Sequence, residues 1–254
     1  MNTNSNSYTF VYAAIIVVVA ASALAFVSEV LKPIQQSNIA TEKRLNILSS
    51  AHLAADAAKV PNKNDYVAHQ FEKYITQSYV VNYLGSTVEG DAFEVDMKQQ
   101  FDLIKAIAAS DMQTAERLKV ELKLPVFECS LENGKLLYIV QCYGLGLWGP
   151  LWGYISLEED CNTIYGAVFD HKGETPGLGA EISTQTYSSQ FVGKRLFDND
   201  HFVSVAVVKG GAKAGDIHAV DAVSGGTITS NGLQQMLFHS LEVYVPFFHL
   251  KSTL

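Results

Sequence analysis

A continuous apolar segment near the N-terminus constrains this chain more than any other feature. Residues 8–27 contain no charged side chain and are rich in Val, Ile and Ala, and about 20 such residues suffice for one helix to cross a bilayer. A cleavable signal peptide is the alternative, with Ala23-Leu24-Ala25 as a weak cleavage site. However, no Lys or Arg precedes the segment, and it exceeds the ~7–15 residues usual for a signal peptide. We therefore predict a retained single-span anchor over residues 1–33, ended by Pro33.

The remainder of the chain is long enough to bury a core of its own. The whole chain has 254 residues, of which 48% are hydrophobic, and its net charge is −8. It contains no run rich in Lys or Arg. Nucleic acid is therefore excluded as a partner. Cys129, Cys142 and Cys161 lack CxxC spacing, and no histidine cluster accompanies them, so we predict no metal site. We expect these cysteines to be small buried residues.

The residue pattern changes near Pro125. Residues 34–124 have a largely helical, membrane-proximal composition, with a helix break near Ser110-Asp111, although residues 65–84 show no clear period. After Pro125, short apolar runs alternate with turn signals, and Asn133-Gly134 is typical of a tight hairpin turn. The predicted strands are 126–130, 136–143, 152–157, 164–169 and 202–208, and the predicted helices lie near 180–191 and after Thr227. This order predicts an α+β fold with a mainly antiparallel sheet over residues 125–254.

The stretch from Asp221 to Ser230 combines hydroxyl side chains with two adjacent glycines. A helical apolar face follows it, formed by Leu233, Met236, Leu237, Leu241, Tyr244 and Val245. The hydroxyls of Ser224, Thr227, Thr229 and Ser230 have the composition of a helix N-cap. A helix N-terminus favours a phosphate group. The ordinary interpretation is a Gly-rich turn followed by a cap.

The order Asp221-Ala-Val-Ser224-Gly225-Gly226-Thr227 also resembles the flavin-transferase recognition motif of the FMN-binding domain family. In that family the last threonine carries FMN through a phosphoester on its hydroxyl. The resemblance therefore implies covalent FMN on Thr227, with Asp221, Ser224, Gly225, Gly226 and Thr229 as neighbouring site residues. Gly226 stands where the family usually has alanine, which makes the turn more flexible.

Gly144-Leu145-Gly146-Leu147-Trp148-Gly149 matches the G-x-G-x-x-G pattern of dinucleotide-binding proteins. That interpretation requires a helix to open at the third glycine, whereas Pro150 and a strand-like run follow. We expect the glycines to let the backbone approach a flat group, beside the aromatic surface of Trp148 and Trp152. A β-turn with tryptophans in the core is the alternative. The segment resembles the Gly-Leu-Trp segment of the same family, which implies that Gly146, Leu147 and Trp148 line an isoalloxazine pocket.

Glu174-Thr175-Pro176-Gly177-Leu178-Gly179 resembles a segment of the flavin-carrying C subunits of Na+-translocating NADH:quinone reductases and of their Rnf-complex counterparts. Pro176-Gly177 predicts a tight turn. We expect the N–H groups of Gly177 and Gly179, with the Thr175 hydroxyl, to bond the polar edge of a flavin. Glu174 would accept a hydrogen bond from the ring, and Leu178 would project from the loop.

Lys209 precedes Gly210-Gly211 and the acceptor stretch. It is interpreted either as a partner of the FMN phosphate or the flavin N1–C2=O edge, or as a solvated charge at the end of a strand.

The resemblance implies a membrane-anchored electron carrier. A flavin transferase would move FMN from FAD onto the chain, which would relay electrons between neighbouring redox subunits. The partners of this carrier would be subunits A, B, D, E and F of a Na+-translocating NADH:quinone reductase. NADH oxidation, ubiquinone reduction and Na+ movement would belong to those subunits. The resemblance also places the main domain in the periplasm, outside the cell inner membrane. Lys32, Lys43 and Arg44 predict the opposite orientation, because basic residues favour the cytoplasmic side.

Two alternatives remain at the level of sequence. One is the flavin-carrying counterpart in Rnf-type electron transport complexes, which shares the acceptor motif and the Glu174–Gly179 motif. The longer middle segment and the Gly-Leu-Trp stretch favour the NADH:quinone reductase type. The other is a non-redox anchored surface domain whose turn motifs arise by coincidence.

Overall fold

A computed structural model describes residues 6–252 and begins with one long helix. Helix α1 (Asn6–Ser50) has 45 residues and continues through Pro33. The prediction that Pro33 ends the helix is wrong. A proline removes one intrahelical hydrogen bond but can be held inside a long helix, and helix-forming residues follow it. The helix is long and apolar enough to cross a membrane. Contacts divide the chain into two compact units, one up to Lys43 and one from Arg44 onward.

A six-stranded antiparallel sheet forms the centre of the second unit. Its order is β2-β1-β3-β4-β5-β6. The strands are β1 (Ile75–Val81), β2 (Thr87–Val88), β3 (Leu124–Ser130), β4 (Leu136–Leu145), β5 (Pro150–Leu157) and β6 (Ile164–His171). Strands β3 and β4 form the hairpin expected from Asn133-Gly134, and Gly134 has a φ of +83°. The prediction of an α+β fold with a mainly antiparallel sheet is confirmed.

The remaining elements surround this sheet in short segments. The helices are α2 (Lys63–Tyr74), α3 (Met97–Ala109), α4 (Met112–Lys119), α5 (Gln185–Ser188), α6 (Thr227–Glu242) and α7 (Val245–Ser252), with 3-10 turns at Gly179–Ser183 and Ser189–Phe191. Two small sheets pair β7 (Phe197–Asp198) with β8 (His201–Phe202) and β9 (Ala206–Val208) with β10 (Ala219–Asp221). The break between α3 and α4 falls at Ser110-Asp111, as the sequence predicts.

Two local predictions need correction. The single strand expected over 202–208 is divided, because Ser204 adopts a φ of +61° between β8 and β9. The helix expected near 180–191 is a short α-helix flanked by two 3-10 turns. Residues 34–124 are mostly helical, as predicted, and the stretch without a clear period contains β1, which pairs with β2 and β3. The division of the chain at residues 33 and 124 stays a prediction.

Apolar side chains cover the sheet on both faces because strand residues alternate between the two sides. On β3, Val126 belongs to one apolar cluster with α6 and α7, and its neighbour Phe127 belongs to another that includes Ile47 and Val67. The face predicted for α6 lies in the first cluster: Leu233, Met236, Leu237, Leu241 and Tyr244 are buried there, and Val245 packs against it. Cys129, Cys142 and Cys161 are free and buried, as expected.

Candidate functional site

The acceptor stretch forms a tight turn that leads into α6. The Gly226 N–H donates to the Val223 carbonyl (3.1 Å), and Gly225 has a φ of +74°, as expected at the third position of a type II turn. Helix α6 begins at Thr227, and its cap residue is Gly226, with no side-chain cap bond. The helix start is where the sequence predicts it, but the predicted hydroxyl cap is wrong, because no side chain caps the helix and the Thr229 and Ser230 hydroxyls make other contacts.

The four hydroxyls of this stretch have different environments. The Thr229 hydroxyl is buried and donates to Glu174 Oε2 at 2.5 Å. The Ser230 hydroxyl is also buried and accepts from the Val223 N–H at 3.0 Å. Ser224 and Thr227 are exposed. Thr227 is therefore the exposed hydroxyl on the first turn of α6.

The Gly146–Gly149 segment is the tip of the β4–β5 hairpin. Leu145 pairs with Pro150, and the Gly146 N–H donates to the Gly149 carbonyl at 2.8 Å. Strand β5 follows immediately, which agrees with the rejection of a dinucleotide-binding turn. Trp148 is 67% exposed, so it is not a core tryptophan. Its backbone N–H donates to Glu174 Oε1 at 2.9 Å.

The Glu174–Gly179 loop contains the expected turn, with a φ of +75° at Gly177. Leu178 is exposed, as predicted. The expectation that the Gly177 N–H is free is wrong, because the Glu181 carboxylate accepts it at 3.1 Å. Glu174 is 5% exposed, and both carboxylate oxygens accept bonds from within the protein. Direct acceptance of a ligand hydrogen bond by Glu174 is therefore disfavoured, although the sequence assigned it that role.

Three glycines allow the three motifs to meet. A Cβ on Gly146 would lie 2.5 Å from Glu174 Oε1, and one on Gly179 would lie 2.5 Å from Glu174 Oε2 and still closer to the Thr229 hydroxyl. A Cβ on Gly226 would lie 3.3 Å from the Gly179 backbone. Gly146 and Gly179 leave space for the Glu174 carboxylate, and Gly226 packs against Gly179. The hairpin tip, the Glu174–Gly179 loop and the acceptor turn therefore form one site.

Asp221 and Lys209 lie at the ends of the paired strands β10 and β9. Asp221 pairs with Val208, and its Oδ1 accepts from the Ala212 N–H at 2.7 Å. Its own N–H donates to Gln190 Oε1 at 2.9 Å. Lys209 is exposed. Asp221 therefore organises the turn after Lys209, and Gln190 is a supporting residue for which the sequence offered no signal.

His171 is a second supporting residue that the sequence pattern did not assign to the site. Its Nδ1 accepts from the Glu174 N–H at 3.1 Å. The Glu174–Thr229 bond joins residues 55 positions apart, and no local pattern reports such a contact.

Comparisons with known proteins agree with this convergence of motifs. The family model of the FMN-binding domain matches residues 146–242, which span all three motifs. The C subunit of the Na(+)-translocating NADH-quinone reductase of Vibrio anguillarum is 35% identical over 207 residues, covering 79% of this chain and 76% of the relative. The chain belongs to the NqrC family, the C subunits of the Na(+)-translocating NADH-quinone reductases. The family resemblance expected from the motifs is confirmed.

Other members of the NqrC family support the same assignment. The Haemophilus ducreyi member is 30% identical and covers 91% of this chain and 88% of the relative. The crystal structure of the Parabacteroides distasonis member has 43% identity and a TM-score of 0.69, covering 86% of this chain and 96% of that chain. The Shewanella oneidensis NqrC structure has 28% identity and a TM-score of 0.66, covering 85% and 98%.

The residues of the site fit an FMN group. The first N–H groups of α6 have no partner within the helix and favour a phosphate, and Thr227 offers an exposed hydroxyl there. Leu147, Trp148 and Leu178 supply exposed apolar surface on the two segments that meet the acceptor turn. An apolar cavity of about 540 Å³ lies elsewhere, lined by residues such as Ile104 and Val243, and contains none of the motif residues.

Proposed function

We propose that this NqrC-family chain carries FMN as a phosphoester on Thr227 and relays electrons between neighbouring redox subunits. The observation that carries the proposal is the environment of Thr227. It is an exposed hydroxyl at the start of a helix, in a turn to which two other motif segments converge. It also lies within the residues that match the FMN-binding domain.

The choice of Thr227 over its neighbours follows from access. A modifying enzyme needs a hydroxyl that it can reach and deprotonate. Thr229 and Ser230 are each 2% exposed and already hydrogen-bonded within the protein. Ser224 is exposed but lies outside the helix, in the turn before Gly225. Thr227 therefore combines access with the positive end of the α6 dipole.

The surrounding residues would hold the two parts of FMN in different ways. The N–H groups at the start of α6 would bind the phosphate, and Lys209 would add positive charge near it. Leu147, Trp148 and Leu178 would cover the ring, beside Gly146 and Gly179, where the backbone can approach closely. The Thr175 hydroxyl would face the ring edge. Asp221 would act through the turn that it organises.

When bound, FMN supplies the reversible electron transfer, and the chain supplies its position. A covalent bond keeps the group beside its pocket at high effective concentration, where a free cofactor would be lost by dilution. Because Ser224, Thr227 and Ile228 are exposed, one side of the ring would stay open to a partner. We propose that the partners are subunits A, B, D, E and F, and that a flavin transferase modifies the chain.

The placement of the domain is also a proposal. We infer a cell inner-membrane protein with a single span in residues 1–33, a membrane-proximal part over 34–124 and an FMN-binding domain over 125–254 facing the periplasm. Lys32, Lys43 and Arg44 favour the reverse orientation. Alkaline phosphatase fused after residue 254 should be active if the domain faces the periplasm, and inactive if it faces the cytoplasm.

In-gel fluorescence tests the attachment. The chain produced together with its flavin transferase should give a fluorescent band after denaturation, and Thr227→Ala should abolish it. Thr229→Ser is the matched control and should keep it. A fluorescent Thr227→Ala band would refute the acceptor, and a colourless wild-type chain would favour a non-redox surface domain.

A further inference from the structure

Glu174 lies at the point where the three segments of the attachment site meet. Its Oε1 accepts from the Trp148 N–H at 2.9 Å, and its Oε2 accepts from the Thr229 hydroxyl at 2.5 Å. Its own N–H donates to His171 Nδ1 at 3.1 Å. One side chain therefore bonds the hairpin tip and the first turn of α6 at the same time, while its backbone is fixed to the end of β6.

The space around the Glu174 carboxylate is filled by the glycines of the same motifs. Gly146 and Gly179 have no room for a Cβ because the two carboxylate oxygens lie beside them. Gly226 in turn lies against Gly179. Glu174 thus contacts Gly179, and Gly179 contacts Gly226 in the turn immediately before Thr227. A displacement of this carboxylate would therefore move the acceptor relative to the hairpin tip.

We propose that Glu174 is a positioning residue that assembles the attachment site before FMN is added. The role given to Glu174 rests on the proposed function, whereas its hydrogen bonds are independent of that function. Glu174 holds Trp148 and Thr229 at a fixed separation, so that the acceptor and the aromatic surface are arranged before the flavin transferase engages them. It also keeps the Thr229 hydroxyl occupied, which leaves Thr227 as the reactive group of the helix.

A carboxylate suits this position because both groups that bond it, the Trp148 backbone N–H and the Thr229 hydroxyl, are donors. Each oxygen accepts one bond, and no residue between 6 and 252 forms an ion pair with it. In Glu174→Gln the amide oxygen can still accept from Trp148, while the amide nitrogen must donate to Thr229. We therefore expect Glu174→Gln to rescue part of the arrangement and Glu174→Ala to lose both bonds.

Amide hydrogen exchange of the full chain made without the flavin transferase tests the geometry directly. The Trp148 amide should exchange about tenfold faster or more in Glu174→Ala than in the wild type, because its acceptor is gone. Glu174→Gln should fall between them. Glu128→Gln is the matched control, since Glu128 is also a buried carboxylate but contacts Tyr79 and Lys251 instead. It should leave Trp148 exchange unchanged, even where it lowers the melting temperature.

The initial rate of FMN incorporation by the transferase supplies the second readout. It should fall several-fold in Glu174→Ala and stay unchanged in Glu128→Gln. If Glu174→Ala does not fold, Thr229→Val removes one of the two bonds and should slow incorporation with Trp148 exchange intact.

Two results would overturn the proposal. One is wild-type exchange at Trp148 in Glu174→Ala, and the other is equal acceleration in Glu128→Gln, which would show a general loss of stability. A wild-type chain that accepts no FMN would refute the proposed function instead, because Trp148 exchange in the flavin-free chain is measured independently.

Discussion

The attachment region around Thr227 and the region around Glu128 each contain a buried carboxylate, and the two carboxylates have different partners. Glu128 Oε1 accepts from the Tyr79 hydroxyl at 2.6 Å and from Lys251 Nζ at 3.1 Å. Lys251 Nζ also lies 5.1 Å from the ring centroid of Tyr138. The Glu128 charge is thus matched by a cation and covered by aromatic rings. Helix α7 is fixed to the sheet by this cluster.

In the attachment region, the polar side chains on the buried side are paired within the protein. Glu174 accepts two bonds from neutral donors, and the surface outside it exposes Thr227 together with the apolar side chains of Trp148 and Ile228. Contiguous exposed apolar side chains commonly mark a binding surface. This difference supports the proposal that the attachment region is arranged for a group that is added later, whereas the Glu128 region serves stability.

Flavin content should separate the two regions most strongly. Thr227→Val should remove all covalent FMN and change the free energy of unfolding of the flavin-free chain by less than about 0.5 kcal/mol, because the side chain is exposed. Tyr79→Phe should do the reverse and leave the flavin content unchanged while lowering stability. Flavin absorbance per chain and urea unfolding measure the two quantities. Loss of flavin in Tyr79→Phe would remove the distinction between the regions.

The two carboxylates can also be compared by removing the hydroxyl that donates to each of them. Thr229→Val leaves Glu174 Oε2 buried without a donor and should cost about 1.5–3 kcal/mol, the range for bonds to charged groups. Tyr79→Phe also removes a bond to a charged group, but Glu128 keeps Lys251 as a partner, so the cost should be smaller, about 0.5–1.5 kcal/mol. Urea unfolding of the flavin-free chains tests the order, with Thr229→Ser as the control that keeps the hydroxyl. The reverse order would contradict the assignment of the two environments.

Two glycines in one loop test how tightly the attachment region is packed. Gly179→Ala places a methyl group against Glu174 and Thr229 and should cost about 1–3 kcal/mol from overpacking. Gly173→Ala meets no atom within 4 Å and should change stability by less than about 0.5 kcal/mol. Thermal unfolding of both variants distinguishes them. Equal effects would show that the loop is looser than the structure indicates.

The smallest expected effect concerns Cys161, which lies near Glu128. In the native chain this thiol should not react with an alkylating reagent. Burial raises the pKa of this thiol from 9.0 to about 12, and the charges of Asp160 and Glu128 add to the shift. The folded chain therefore keeps the thiol protonated at pH 8, and stability should decline as the pH rises above about 9, where the unfolded thiol ionises. Iodoacetamide should label Cys161 only after unfolding. Rapid labelling of the native chain at pH 8 would show that this region opens.

Local patterns predicted those parts of the molecule whose structure depends on neighbouring residues. The apolar period placed α6, and Asn133-Gly134 placed the β3–β4 hairpin, because both signals are contained within a few residues. The start of α6 at Thr227 followed from the hydroxyl-rich turn, although the cap itself is Gly226. The motifs around Glu174 and Thr227 were found separately in the sequence.

The parts that could not be predicted depend on distant contacts. Glu174 was assigned to a flavin ring because a local motif cannot show that its acceptor sites are used by Trp148 and Thr229. Pro33 was expected to end a helix because its cost was weighed without the helix-forming residues on either side. Strand β1 was missed because its irregular pattern belongs to a strand that pairs with β3 more than 40 positions later.

The proposed electron carrier depends on a phosphoester between FMN and Thr227, and intact mass measures that bond directly. The full chain should be produced with its flavin transferase, weighed whole and then digested. We predict an addition equal to FMN minus one water, located on the peptide that contains Thr227. An unmodified mass, or the same addition on a peptide without Thr227, would show that the proposed attachment is wrong.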